Sequence, residues 1–203
     1  IDRKLNVIGS GFMHNRYFAD MMSQHVQCIF DAEPLASQPR VVADMGCGDG
    51  TLLKTIYLFV RAHTKRGREL EAYPLTMCGV DFNTDSLKET GITLSAAGAP
   101  HGLMWGDIGD PEVMQTALES KFNVSRDEVL HVRSFLDHDR PFILPAKNGD
   151  RLLSQALNAS CDAVYVSNGA GKGGVNGGGS LVTPAEAFSS LVEHFERWAA
   201  CIG

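Results

Sequence analysis

Much that would assign this 203-residue chain to a class is missing from it. No apolar run is long enough to span a bilayer and no signal peptide stands at the start, so no membrane insertion or export is expected. No basic stripe is present. The 18 Lys and Arg are outnumbered by 24 Asp and Glu, a net charge of -6, which leaves nucleic-acid binding little support. The five cysteines (Cys28, Cys47, Cys78, Cys161 and Cys201) are scattered, odd in number and form no C-x-x-C pair. They read as reduced thiols of a cytoplasmic protein, several of them in the core. The phosphate loop G-x-x-x-x-G-K-[ST] is absent, so the glycine-dense stretch 168–180 reads as a flexible surface loop. The initiating Met is also absent, and a chain that opens Ile1-Asp2-Arg3-Lys4 reads as a piece of a longer protein. What remains is ordinary for one globular domain: 44% hydrophobic and 21% charged residues, with length enough for a full-sized core.

The stretch that organises the chain is Val41-Val42-Ala43-Asp44-Met45-Gly46-Cys47-Gly48-Asp49-Gly50-Thr51. Small and β-branched residues predict a buried central strand ending at Asp44. Gly46, Gly48 and Gly50 alternate, which allows positive φ and lets a ligand approach the backbone. Thr51 onward carries a helical apolar pattern to about Thr64. A ligand here would sit against free N–H groups at a helix N-terminus. A nicotinamide turn reads G-x-G-x-x-G. Here the pattern is Asp-x-Gly-x-Gly-x-Gly, and a carboxylate two residues before the first glycine repels a pyrophosphate. It suits a ligand with an ammonium group and no phosphate, such as S-adenosylmethionine (SAM). Cys47 reads as a small residue beneath the ligand rather than a nucleophile.

Residues 1–36 carry Phe12, Met13, Tyr17, Phe18, Met21, Met22, His25, Val26, Ile29 and Phe30 at helical spacing. A helix packed on the core takes most of the weight. A helical lid over the site is the functional alternative, with His14 and Arg16 in its polar start. A proline-punctuated linker, 33–40, leads into the first strand, and residues 65–71 read as a solvated charged turn. Leu75–Asp81 is the second strand. Asp81 at its tip suits ribose, since a carboxylate accepts both vicinal hydroxyls, and Phe82 follows it. Asn83 or Thr84 caps the next helix. Residues 102–108 are the third strand and its tip, where Asp107 and Ile108 stand. Asp107 divides between a ligand contact and a cap for the helix begun by Pro111 and Glu112. Matching acids at Asp44 and Asp81 tip it toward the ligand.

Val129–Val132 is the fourth strand, beside the first in the order 3-2-1-4-5. Ligands bind at the carboxyl ends where such an order reverses. Residues 133–140 leave the sheet there with Asp137, His138, Asp139 and Arg140 in a row. His131, inside the strand, reads as a satisfied core histidine, and Arg133 and Ser134 as pocket lining. A further helix is expected at 149–158. Residues 163–167 form a strand, either the fifth of the sheet or part of a small hairpin. Residues 184–201 form a helix with an apolar face of Phe188, Leu191, Val192, Phe195 and Trp198. The predicted organisation is therefore a helical lid, 1–36, and a Rossmann-like doubly wound α/β core, 37–203, whose last strands are missing.

Taken together, Asp44-Met-Gly-Cys-Gly-Asp-Gly50, Gly79-Val-Asp81, Gly106-Asp107-Ile108 and the run His131-Val-Arg-Ser-Phe-Leu-Asp-His-Asp-Arg140 resemble the class I SAM-dependent methyltransferase domains of modular polyketide synthases. The helix around Leu191–Trp198 is similar to theirs too. The likeness covers roughly residues 10–203 and is nearest to starter-unit C-methyltransferases of loading modules and the related O-methyltransferases. It implies SAM held by Asp44, Gly46, Gly48, Gly50, Asp81, Phe82, Asp107, Ile108, Arg133 and Ser134. It implies His138 as catalytic base or as a ligand of a single Fe or Mn ion, oriented by Asp137 or Asp139. The substrate implied is an acyl group on an acyl carrier protein, malonyl for C-methylation or a β-hydroxy or β-keto chain for O-methylation. Neighbouring synthase domains are the other expected partners. Arg140 is a weak candidate for a substrate carboxylate or a carrier phosphate. An inactive SAM-binding structural module is the reading from another class, and an NAD-dependent oxidoreductase is disfavoured by Asp44 and the glycine spacing.

Overall fold

The computed structural model describes residues 5, 8–9, 13–14, 17–134, 136–137, 140, 142–146, 165–167 and 180–202. One compact unit runs Ile1–His138 with Ile202–Gly203. Its centre is a four-stranded parallel sheet in the order β3-β2-β1-β4, built from β1 (Val41–Met45), β2 (Thr76–Asp81), β3 (His101–Trp105) and β4 (Val129–Arg133). All five residues of β1 are buried, as a strand flanked on both sides and covered on both faces requires. In register, Asp44 lies between Gly79 of β2 and Val132 of β4, and Met45 between Val80 and Arg133.

Parallel neighbours need crossovers, and helices supply them. Thr51–His63 joins β1 to β2, Thr84–Ala96 joins β2 to β3, and Pro111–Phe122 joins β3 to β4. Leu52, Leu53, Ile56, Tyr57 and Val60 bury the apolar stripe of the first. Asn83 caps the second by accepting from the Asp85 N–H at 3.0 Å. Asp110 caps the third, which has Pro111 in its first turn. All four strands lie where the apolar runs place them, and each carboxyl end emerges at one edge.

The N-terminal helix runs Phe18–Met21, continues as a π-helical stretch Met22–Val26 and ends as Gln27–Asp31. Phe18, Met22, Val26 and Phe30 are buried in one cluster with Leu53, Ile56, Tyr57 and Val60, the packing helix that the sequence favours. In a pure α-helix a stripe at every fourth residue rotates by about 40° per step. The wider π turn takes up that rotation. Phe12 and Arg16 lie outside the described residues.

Two expectations are corrected here. Lys65–Arg68 is a short helix, and Arg66 is not solvated but 1% exposed. Its Nε donates to Tyr73 O at 2.7 Å, Nη2 to Pro74 O at 3.0 Å, and Nη1 to Leu35 O at 2.9 Å and Gln38 Oε1 at 3.3 Å. A guanidinium with a fork of donors satisfies carbonyls of two passing segments at once, so burial costs it little. Lys65, Arg68, Glu69 and Glu71 are exposed as expected, and Arg66 alone is a structural knot.

The second correction falls in the unit Asp139–Cys201. Here β5 (Tyr165–Ser167) pairs antiparallel with β6 (Ser180–Val182), so of the two readings of 163–167 the hairpin strand is the one observed. The helix Pro184–Ala199 follows, closed at its start by a Thr183–Glu186 capping box. Of its expected apolar face, Trp198 is buried and Phe188, Leu191 and Val192 are half-buried, but Phe195 is 46% exposed and is the residue corrected. Ser190 and His194 are buried beside Trp198, and Ser190 Oγ accepts from Arg140 Nη1 at 3.1 Å. The predicted helix 149–158, Cys161 and the glycine-dense stretch up to residue 179 lie outside the described residues.

Candidate active site

The site is built from the glycine turn outward. Gly46, Gly48 and Gly50 all have positive φ, at 75°, 58° and 77°. Gly46 needs its bare α-carbon a second time, since a Cβ there would meet Leu136 Cδ1 at 2.8 Å. Gly50 would meet the Thr90 backbone at 3.0 Å. Around Gly48 a Cβ would meet nothing within 4 Å among the described residues. Leu136 shows that the chain leaving β4 crosses back to the glycine turn, as the strand-order argument requires.

Several N–H groups of the turn are engaged within the protein. Gly46 and Cys47 both donate to Val80 O, at 2.8 and 3.1 Å, and Gly50 donates to Cys47 O at 2.9 Å. Gly48 donates to Asp81 Oδ2 at 3.3 Å, and Thr51 to Asp49 Oδ1 at 3.0 Å. These bonds fix the shape of the turn at the start of the Thr51 helix.

Asp44, the next-to-last residue of β1, is 2% exposed, and its Oδ1 has no hydrogen-bond partner among the described residues. Burial raises its pKa to about 8, with the negative charges of Asp81 and Asp49 adding to the rise. A buried carboxyl without a partner is costly unless a cation arrives. Cys47 is buried beside it, and burial, then the Asp44 charge, hold its thiol pKa well above the ordinary value despite a hydrogen bond from Thr90. It is a thiol at neutral pH and a poor nucleophile, in line with its reading as a small residue.

Asp81 is 8% exposed. Its Oδ1 accepts from Asn83 N at 2.8 Å, so each oxygen is oriented by one backbone donor. Beyond it Phe82 is 51% exposed, and its carbonyl accepts from Trp105 Nε1 at 3.1 Å. Asp107 is exposed past the end of β3, and its Oδ1 accepts from Gly109 N at 2.7 Å. Asp110 is the helix cap, so Asp107 does not fill that role. Ile108 beside it is half-buried.

At the end of β4, Arg133 pairs with Asp137 four residues on, and Ser134 is half-buried. Burial lowers the Arg133 pKa from its ordinary value while Asp137 opposes the shift. The pair ties the segment leaving β4 to the strand it leaves. Burial, then Arg133, pull the His131 pKa down to about 4, so this histidine is neutral at physiological pH, as a core histidine should be. His138 and Asp139 lie outside the described residues. Among the described residues no group of three or more His, Cys, Asp or Glu could hold a metal ion. His14 is half-buried.

The structure therefore brings Asp44, Gly46, Gly48, Gly50 and Asp81 together and sets Phe82, Asp107, Ile108, Arg133 and Ser134 on the strand ends beside them. Sequence reasoning missed Asp49, Thr90 and Leu136. Asp49 carried a signal, an Asx residue two before Thr51 at a helix start. Thr90 and Leu136 carried none, because their roles arise only from the crossing of remote segments.

A parallel sheet with a glycine turn at its switch point, an unpartnered acid before it and a second acid on the neighbouring strand defines the Rossmann-like class I methyltransferase architecture. The buried Asp44 carboxyl suits a ligand ammonium and repels a phosphate, and Asp81 suits a ribose, so these residues fit SAM. More narrowly, the profile of the AprA MT2-like domain matches residues 1–203, and the chain belongs to that family of polyketide synthase-associated methyltransferases. It is a methyltransferase domain, and SAM is its methyl donor. No curated protein matches the chain. Among the described residues no helix is long and apolar enough to cross a membrane.

Proposed function

We propose that this domain methylates an acyl chain carried on an acyl carrier protein, with malonyl-type C-methylation as the preferred reaction. The observation that carries the cofactor half is Asp44, a buried acid just before the glycine turn with one oxygen unpartnered among the described residues. In this reading Asp44 binds the ammonium of SAM, Asp81 the ribose hydroxyls and Asp107 the adenine amino group, with Phe82 and Ile108 against the ring and Arg133 and Ser134 lining the pocket. SAM supplies an electrophilic methyl on its sulfonium. The chain's own contribution is to hold a nucleophilic carbon or oxygen in line with that methyl, which reduces the barrier chiefly by positioning. His138, oriented by Asp137 or Asp139, takes the nucleophile's proton, worth about 10²–10⁴-fold in such roles. Asp137 also engages Arg133, which anchors the segment that carries His138 to the end of β4.

The acyl chain's attachment to a carrier and the choice of carbon over oxygen are supported by the family alone. Mass spectrometry of malonyl-carrier protein incubated with SAM tests both. A gain of one methyl, lost in His138→Ala, supports the reading. No gain on malonyl with a gain on a β-hydroxyacyl carrier would move the assignment to O-methylation. Metal analysis of the same sample decides whether Fe or Mn takes part.

A further inference from the structure

The glycine turn is held from behind by one residue of the neighbouring helix. Thr90, on Thr84–Ala96, is completely buried. Its hydroxyl shares one proton between Gly48 O, at 3.2 Å, and Cys47 Sγ, at 3.2 Å. Its Cγ2 methyl lies where a Cβ on Gly79 of β2 would stand, 2.7 Å away, and its Cα closes the space behind Gly50. A single side chain thus touches the first strand's turn, the second strand and the start of the Thr51 helix.

Gly48 is held at both ends. Its N–H is fixed by Asp81 and its carbonyl by Thr90. A glycine at which a Cβ would meet nothing within 4 Å among the described residues, with a φ of 58°, is otherwise the freest residue of the turn. If it wanders, Asp81 loses one of the two donors that orient its carboxylate. We infer that Thr90 is a positioning residue of the cofactor site, whose hydroxyl, acting through Gly48, sets the Asp81 carboxylate for the two ribose hydroxyls of SAM. The inference rests on the reading of this turn as the SAM site. Thr90 touches no substrate and acts by preorganisation, which lowers the ordering cost of binding.

The two halves of the threonine separate by substitution. Thr90→Val keeps the methyl packing against Gly79 and removes the hydroxyl. Thr90→Ser keeps the hydroxyl and removes the methyl. Isothermal titration of the 203-residue chain with SAM and with S-adenosylhomocysteine, alongside thermal melts, reads both halves without turnover. The expected result is a loss of stability in both variants. Thr90→Val weakens both ligands about tenfold and equally, as one lost buried hydrogen bond predicts. Thr90→Ser stays within about twofold of the parent. Equal weakening in both variants would reduce Thr90 to a packing residue and overturn the inference, as would parental affinity in Thr90→Val. Asp44→Asn is titrated beside them. If it binds SAM as the parent does, the site reading fails and takes the inference with it. If it weakens SAM while Thr90→Val does not, only the role of Thr90 is lost.

Discussion

Arg66 and Asp44 are both buried ionisable groups of one compact unit, at 1% and 2% exposure, and the fold treats them in opposite ways. All three guanidinium nitrogens of Arg66 donate to acceptors, three carbonyls and the Gln38 amide oxygen. Asp44 has an oxygen with no partner among the described residues and two other carboxylates near it. A satisfied buried charge builds structure, because removing it strands its partners. An unsatisfied one costs stability and is retained for what it will bind. The contrast locates the ligand site on physical grounds that are independent of any motif.

That contrast can be broken from either side. The largest effect belongs to Arg66→Met, which leaves several buried acceptors unpaired and should cost about 3–5 kcal/mol in denaturant melts. SAM affinity of the protein that remains folded should be unchanged, and a parallel loss of binding would show that the knot also shapes the site. Asp44→Asn should do the reverse. It removes a buried charge, so stability at pH 8 should hold or rise. SAM should bind about 100-fold more weakly by titration calorimetry, the equivalent of about 3 kcal/mol for a charge-assisted contact.

The third effect is one of pH. Asp44 has a raised folded pKa of about 8 against an unfolded value of 3.8. Between those values the native state holds a proton that the unfolded state has released. Stability from this group is therefore fully present below about pH 4 and is lost as pH climbs toward 8, at up to about 1.4 kcal/mol per unit. SAM binding runs the opposite way, since the ammonium needs the carboxylate. Affinity should rise by up to about tenfold per pH unit toward pH 8, and Asp44→Asn should flatten the profile. An unchanged slope in that variant would assign the titration to another group. The smallest effect is expected of Cys47→Ala. It should cost about 1 kcal/mol of packing and shift SAM affinity less than twofold, because the thiol only fills space behind the turn.

The four strands and their acid tips were legible because a parallel sheet buried on both faces leaves near-continuous apolar runs, and Asp44 and Asp81 stop those runs abruptly. Glycines at alternate positions marked the turn for the same reason that the structure needs them, positive φ. Arg66 was not legible. It stands in a run of charges that looks solvated, and its acceptors come from Leu35, Gln38, Tyr73 and Pro74, 7 to 31 residues away. Thr90 was hidden likewise, being a polar residue in a helix whose value depends on two glycines of other elements. The expected face of Pro184–Ala199 erred at one residue, Phe195, because hydropathy favours phenylalanine over histidine for burial. Here His194 is fully buried and Phe195 is 46% exposed. Asp137, read with Asp139 as a residue orienting His138, also pairs with Arg133 at the end of β4, a contact that no spacing rule announced.

The π-helical stretch Met22–Val26 has a consequence for how the gene can change. It stores one residue more than a straight helix would need to carry Phe18 and Phe30 to the same wall. A single-codon deletion inside those five positions removes the spare residue and straightens the coil. Phe18 and Phe30 then stay on one face, about 20° apart in phase. The same deletion beyond Asp31 only shortens a connection. The N-terminal helix therefore tolerates the loss of one residue where the π turn stores it.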